Sequence, residues 1–407
     1  MSINSENLFL HVDGDSFFVS CEVSQHREYR GLPVIVGEDR GIAVAMSYEA
    51  KKLGVTRGMP IFRIKKEFPE VIILPHHFDL YGKISRGVYD ILISYLPEVE
   101  QYSIDECFAV VKQSDIRLAG SVEKLANDIK SEIQNSFGVT YSLGMARTKV
   151  LAKTASKLNK PNGLVILLNK KDEEEALKKT SIDDVWGIGR QTVPRLLNIG
   201  IKTAYDFVHY SSEQIKKYFS EPVYILQREL SGESFQKVNN DTDPRDQKSI
   251  QSTATFKPSS DDPKIIFAEL SENVERACEL ARELSLSTNA VSFFVKNTKF
   301  VYRTGDSKLL LYTTNPSIIL NTIEDIFKKI LVNEEKIRST GITLENLRKN
   351  EEVPRDLFGI QDNLEAKNII EEISDNIRAK FGQNVLKRAS SLKGSGRKRG
   401  NSFPKPR

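Results

Sequence analysis

Short apolar runs bounded by turn residues alternate with stretches whose apolar positions recur every three or four residues, and this pattern predicts a mixed α/β first half. Residues 8–12 (LFLHV) form an apolar run that breaks at Asp13-Gly14-Asp15, and Ser16–Val23 follows with helical character, so the order is strand, turn, helix. Two β-rich runs, LPVIVG and GIAVAM, lie on either side of the turn-like EDRG, and Tyr48–Leu53 is helical. Ile84, Val88, Ile91, Leu92 and Tyr95 stand at helical spacing, whereas VEQYSIDECFAVV at 99–111 reads as two buried strands around a tight turn. A helix over 121–137, a strand YSLGMA at 141–146 and a basic amphipathic helix KVLAKTASKL at 149–158 complete this half, closed by Asn159-Lys160-Pro161-Asn162-Gly163.

From about Lys170 to Lys237 the β-branched runs give way to short helical segments punctuated by Gly187, Gly189, Gly200, Pro222 and Gly232, a small helical domain. Residues 238–247 (VNNDTDPRDQ) are polar and rich in turn formers, which suits a linker. A second α/β unit follows over 248–349. Its strand-like runs are SIQSTATF, VSFFVKNTKFVY, KLLLYTT and STGITLENL, with helices near 263–285 and 316–331. Beyond Lys349 the chain turns from acidic to basic, and Ile370, Ile373, Ile377 and Phe381 mark one amphipathic helix. No internal repeat interrupts this order.

Composition narrows the class. At 407 residues the chain holds two to four domains' worth of core, and 39% hydrophobic with 28% charged residues is ordinary for a soluble globular protein. No run approaches the ~20 apolar residues of a membrane span, and the first residues lack a basic segment leading into a long apolar one, so a cytoplasmic protein away from membranes is expected. Cys21, Cys107 and Cys278 are far apart and odd in number, which supports neither a disulfide framework nor a zinc site. The net charge of +4 hints at nucleic acid, but removing the six Lys and Arg of the Gly-, Ser- and Pro-rich tail 393–407, which has no acid, turns it into −2. Bulk charge therefore argues for nothing, and any nucleic-acid claim rests on where charges lie.

Two acidic sites carry the chemistry. Asp13 and Asp15 flank Gly14 directly after a strand, and Asp105-Glu106 sit at a second strand turn. Singly, an Asp-Gly turn and a Ser103-x-x-Glu106 capping box account for them. Together, paired carboxylates at neighbouring strand ends can hold Mg²⁺, which takes hard oxygen ligands and shares its other positions with phosphates and water. Two such ions serve phosphoryl or nucleotidyl transfer. His76-His77, read as adjacent strand residues, point to opposite faces and cannot easily share an ion. Cys107 has no positioned base beside it and reads as a buried apolar neighbour.

Five segments in one order, VDGDSFFVSCE (12–22), AMSYEAKKLGVTRGMP (45–60), YSIDECF (102–108), GMARTKVLAKTASKLNKPNG (144–163) and VWGIGRQTVPRLLNIGIKT (185–203), resemble the motifs of Y-family, lesion-bypass DNA polymerases of the bacterial DinB kind. The resemblance covers about residues 8–349. It implies an α+β multidomain, right-hand polymerase with a mixed-sheet palm (1–12 and 82–169), small fingers (13–81), a helical thumb with a helix-hairpin-helix (170–237), the linker 238–247, an α/β little finger (248–349) and a C-terminal extension (350–407). It also implies a monomer that performs low-fidelity translesion DNA synthesis without proofreading, adding deoxynucleoside triphosphates to primer-template DNA with two Mg²⁺ ions. Retention of all the carboxylates separates this from the alternative, a non-catalytic DNA- and clamp-binding accessory protein of the same fold.

Carried over residue by residue, the resemblance puts metal binding on Asp13, Asp105 and Glu106 with the Gly14 carbonyl. It puts nucleotide binding on Phe17, Phe18, Tyr48, Lys51 and Lys160, with Phe18 as the wall that excludes a ribose 2′-hydroxyl. Lys51 stands where the family most often has Arg, and a point charge there lacks bidentate geometry. Ala45 replaces a small hydroxyl residue. Gly187 and Gly189 fall on the helix-hairpin-helix, whose backbone N–H groups approach DNA phosphates, while Lys296, Lys299 and Arg303 supply positive charge along the run 291–312. Leu357 and Phe358 form the apolar end of a partial sliding-clamp motif.

Overall fold

β1 (Leu8–Gly14) is buried along its whole length and is the axis on which the first half is built. It leads through Asp15 and Ser16 into α1 (Phe17–Gln25). A small sheet follows, made of β2 (Val34–Val36), β3 (Ala45–Met46) and, beyond α2 (Tyr48–Lys52) and α3 (Ile61–Glu67), β4 (Ile72–Leu74), in the order β3-β2-β4. The chain returns through the 18-residue α4 (Phe78–Tyr95) to β5 (Val99–Gln101) and β6 (Glu106–Val111). Next come α5 (Gln113–Ala119), α6 (Val122–Phe137), β7 (Tyr141–Ala146), α7 (Lys149–Leu158) and β8 (Leu164–Ile166). The palm sheet runs β5-β6-β1-β7-β8, with β1 antiparallel to both β6 and β7. The computed structural model from which these elements are read describes residues 7–38, 41–239, 245–354, 360–382, 385–392 and 394. Leu357 and Phe358 lie outside them.

Because side chains alternate along β1, the sheet feeds two cores. Leu8, Leu10 and Val12 face α4 and α6, where Leu92, Ile129 and Ile133 are fully buried. Phe9 faces α7 and a helical domain of α8 (Lys170–Lys179), α9 (Val193–Asn198), α10 (Ala204–His209), α11 (Ser212–Tyr218) and α12 (Glu221–Leu230). The helical domain is tied to α7 by the Thr148 hydroxyl donating to the Glu229 carbonyl (2.9 Å) and by a two-pronged Arg147–Glu173 pair. α1 belongs to two cores at once: Phe17 and Cys21 enter the palm core, Val19 that of the small sheet. A palm–fingers boundary at residue 13 therefore divides elements that share packing.

The second compact unit is an antiparallel sheet in the order β11-β10-β12-β9 under two helices. In chain order it runs β9 (Ser249–Ser260), α13 (Pro263–Glu283), β10 (Leu286–Asn297), β11 (Tyr302–Thr313), α14 (Pro316–Ile330), β12 (Ile337–Glu345) and the short β13 (Arg348–Lys349). The run 291–302, read as one strand, contains a hairpin turn, since the chain reverses at Phe300 with φ 66° and Tyr302 comes to lie beside Lys296. α15 (Ile360–Phe381) forms where the Ile/Phe spacing predicts a helix, and it buries charged residues rather than that apolar stripe. Ile370, Ile373 and Phe381 are 54–62% exposed, while Glu371 and Arg378 are buried. The reason is ionic: Arg282 of α13 grips Asp375 (2.6 Å), Arg378 meets Glu275 (3.3 Å), and Arg388 pairs with Glu371. No described helix is long and apolar enough to cross a membrane.

α7 reaches the sheet only because residue 144 lacks a side chain. A Cβ at Gly144 would stand 2.1 Å from the Ala152 carbonyl oxygen and 2.3 Å from the Ser156 nitrogen, both backbone atoms that cannot step aside. Gly144→Ala should therefore destabilise the protein by about 3 kcal/mol or more, read as a lowered urea midpoint, and depress activity with it. A midpoint within experimental error of the parent would show that α7 can shift at little cost.

Candidate active site

Antiparallel pairing sets the site. In the β1–β6 register Asp13 stands opposite Glu106 and His11 opposite Phe108, so two carboxylates end up as cross-strand neighbours where these two interior strands end. The Gly14 N–H donates to the Asp105 carbonyl (2.9 Å), pinning the two turns together. Asp13 is 7% exposed, and burial raises its carboxyl above the usual range, with Glu106 and Asp105 adding to the rise and Lys160 opposing it.

The acids are held by cations from one segment. Lys160 Nζ lies 2.5 Å from Asp13 Oδ1, and Lys153 Nζ lies 2.8 Å from Glu106 Oε2. Lys149, one turn before Lys153 on α7, reaches Glu100 of β5 in the same way (2.8 Å). Lys153 also lies over the rings of Tyr102 (4.7 Å) and Trp186 (5.0 Å), which fixes its ammonium between an aromatic wall and Glu106. Lys153 was not singled out from sequence. Its signal was the four-residue spacing of Lys149, Lys153 and Lys157 on one helix face, but the partners that give it meaning lie on other strands.

The other acids divide sharply. The Asp15 side chain accepts from Ser142 Oγ (2.8 Å) and the Asn162 N–H (2.7 Å), so it ties β7 and the Lys160–Gly163 turn to the end of β1. Asp105 Oδ1 accepts from Ser103 Oγ (2.6 Å), a local bond in place of the capping box read from Ser103 and Glu106. His11, Asp13 and Glu106 each present one ligand atom within 4.8 Å of the others. Two carboxylates at a strand end suit a hard divalent cation. His11 Nδ1 is engaged with Ser156 Oγ (2.7 Å), its Nε2 is buried without a partner, and burial followed by Lys153 and Lys160 holds the ring well below its ordinary pKa.

Across from the acids, α2 carries the expected fingers pair. Lys51 Nζ lies 3.2 Å from Ser16 Oγ and 4.3 Å from the centroid of the Tyr48 ring, whose hydroxyl reaches towards Asp15 (3.5 Å). Burial lowers the Lys51 pKa first, and Lys160 and Arg57 lower it further, so three cations share one field. Arg57 was not anticipated from sequence. Ala45 is buried in the small-sheet core.

Phe17 and Phe18 part company. Phe17 is 3% exposed, edge-on to Tyr141 (6.1 Å) in the palm core, which leaves only its backbone to meet a ligand. Phe18 is partly buried, one ring face stacked on Tyr81 and its edge met by Phe78. Gly187 has φ 90°, and a Cβ there would meet Leu226 at 2.6 Å, whereas Gly189 opens to free space. Lys296 lies on the sheet's outer face over Phe300 (4.9 Å) and Tyr302 (4.5 Å). Arg303, opposite the buried Val295, faces the helix side and is paired with Glu335, so it does not share a face with Lys296. Lys299 is exposed at the hairpin turn. His76 and His77 precede α4 outside any strand and meet different acids, Glu38 and Glu22. Cys107 is buried, its thiol pushed up to about 12, chiefly by burial.

Comparison with known proteins identifies the family of the chain. The impB/mucB/samB family profile matches residues 12–157, and its C-terminal domain profile matches 247–357. A chimera of the Y-family DNA polymerases Dbh and Dpo4 superposes with a TM-score of 0.70 at 24% identity, covering 83% of this chain and 98% of that one, which shows the fold. DNA polymerase IV of Desulfatibacillum aliphaticivorans is 32% identical over 95% of this chain and 97% of its own length. That of Clostridioides difficile strain 630 is 29% identical over 88% and 98%. The chain belongs to the impB/mucB/samB family, the Y-family DNA polymerases of the DinB type. It is a DNA-directed DNA polymerase that carries out translesion synthesis, and nothing favours the non-catalytic accessory reading.

The raised Asp13 carboxyl has a consequence for stability. A raised acid pKa means that the folded state holds the proton more tightly than the unfolded chain, so ionisation costs stability as pH climbs from the ordinary carboxyl range through the folded value. Asp13→Asn should therefore be more stable than the parent at pH 7, with the gain shrinking towards acid pH, in denaturant titrations without divalent cation. An Asn variant no more stable at pH 7 would contradict it.

Proposed function

We propose that Asp13 and Glu106, joined by Asp105 and the Gly14 carbonyl, hold two Mg²⁺ ions, and that the primer 3′-hydroxyl attacks the α-phosphate of a deoxynucleoside triphosphate there, with pyrophosphate leaving. The observation that carries the reading is the cross-strand placement of Asp13 and Glu106 with Lys160, Lys51 and Tyr48 gathered beside them. The ions, when bound, supply charge to the attacking and leaving oxygens. Lys160 and Lys51 neutralise the triphosphate as point charges, and Tyr48 adds a hydroxyl donor. Phe18, partly exposed at the start of α1, stands against the sugar and excludes a 2′-hydroxyl by clash.

Asp13→Ala or Glu106→Ala should lower nucleotide addition by about a thousandfold or more, roughly 4 kcal/mol at the transition state, with primer-template affinity largely kept. Chelation should abolish synthesis and Mg²⁺ restore it. Near-parental extension by either variant removes that residue from the site. Phe18→Ala should raise ribonucleotide over deoxynucleotide kcat/KM by at least ~10-fold, and an unchanged ratio in an active variant sinks the sugar-wall role.

Duplex contacts by Gly187, Gly189, Lys296 and Lys299 are proposed on the open loop at Gly189 and the outward face carrying Lys296. Clamp docking by Leu357 and Phe358 is proposed on sequence alone. Lys296→Ala should reduce the salt dependence of DNA affinity by about one unit of log–log slope, and alanines at 357 and 358 should remove clamp-stimulated synthesis only; unchanged values reject each.

A further inference from the structure

A wall discriminates by clash only if it cannot retreat, and the surroundings of Phe18 show what stiffens it. Its ring lies flat on Tyr81 of α4, centroids 4.5 Å apart and planes 14° from parallel, and Phe78 closes the stack edge-on at 6.0 Å. Tyr81 is itself fully buried. Its hydroxyl donates to Glu22, a carboxylate 2% exposed that sits four residues after Phe18 on α1. Residues four apart share one helix face, so α1 holds Tyr81 at both ends, the ring by Phe18 and the hydroxyl by Glu22. His77 at the head of α4 adds to this anchor: its backbone N–H donates to the same carboxylate oxygen (3.2 Å), and its Nδ1 lies 3.0 Å from each of the two oxygens. A buried carboxylate is costly to keep, and an apolar residue here would pack against the same ring without that cost. What the carboxylate adds is a fixed height and tilt for the ring behind Phe18.

We propose that Glu22, acting through Tyr81, is a positioning residue for sugar selection, setting how far the Phe18 ring yields to a ribose 2′-hydroxyl. The inference rests on the reading of Phe18 as the wall. Tyr81→Phe keeps the ring and loses its anchor; Glu22→Leu loses the acceptor; Glu22→Gln keeps an acceptor oxygen and serves as the conservative rescue. With the full chain, kcat/KM is measured for one deoxynucleotide and its ribonucleotide on the same primer-template.

Tyr81→Phe and Glu22→Leu should raise the ribo-to-deoxy ratio about threefold or more, and Glu22→Gln should return it close to the parent. In a Phe18→Ala background Tyr81→Phe should add nothing to the ratio, because the wall it steadies is gone; a merely structural role would still lower activity there. If Glu22→Leu fails to fold, Tyr81→Phe alone and in that background decides. Equal loss with both sugars, or an unchanged ratio in Tyr81→Phe while Phe18→Ala raises it, overturns the inference and leaves Phe18 in place. An unchanged ratio in Phe18→Ala overturns the wall and this inference together.

Discussion

The antiparallel pairing of β1 with β6 is the constraint on which the rest depends, because it brings Asp13 face to face with Glu106 in a place poor in water. Like charges so placed repel, and the repulsion grows as the effective dielectric falls. A sheet that makes this juxtaposition must carry its own counter-charge. The protein draws it from one continuous segment: α7 supplies Lys153 and the following turn supplies Lys160. Gly144 lets α7 lie close enough for Lys153 to reach, and Asp15 fastens the turn by accepting the Asn162 N–H, two residues beyond Lys160. A carboxylate one residue from the site thus serves the site's scaffold.

Much of this was legible in the chain. The strand–turn–helix at 8–23 and the paired strands at 99–111 place the acids at strand ends, and the tertiary structure needs only to align them. Periodicity failed in two instructive places. The apolar run 291–302 hides a hairpin because the turn at Thr298–Val301 uses Lys, Phe and Val, with Phe300 at positive φ where Gly or Asn is usual. On α15 the 3.6-residue pattern identified the helix but not which face is buried, since charged side chains of α13 pair with Asp375 and Arg378 while Ile370, Ile373 and Phe381 stay exposed. No pattern within one helix contains that information.

What sequence could not supply were pairings across long separations. Lys153 with Glu106, Tyr81 with Glu22 and His11 with Ser156 each join residues 47 or more apart. Phe17 and Phe18 show the converse. They are identical side chains next to each other, yet α1 turns one into the palm core against Tyr141 and leaves the other partly exposed against Tyr81 and Phe78. The helix phase alone separates a packing residue from a candidate wall.

The two lysines paired with the proposed metal carboxylates differ in how freely each could leave its partner. Lys160 is bound to Asp13, yet it shares a field with Lys51 and Arg57, the direction from which a triphosphate's charge would pull. An incoming polyanion offers Lys160 more negative charge than one carboxylate does, while divalent cations offer Asp13 more positive charge than one ammonium. Each exchange favours the other, because freeing Asp13 exposes it to metal and freeing Lys160 exposes it to phosphate. Lys153 is placed differently: boxed by Tyr102, Phe108 and Trp186, it has little room to leave Glu106. On the proposed reading Lys160 is thus the counter-charge with another partner to turn to and Lys153 the one held in place, which makes Asp13 rather than Glu106 the carboxylate that would change partner.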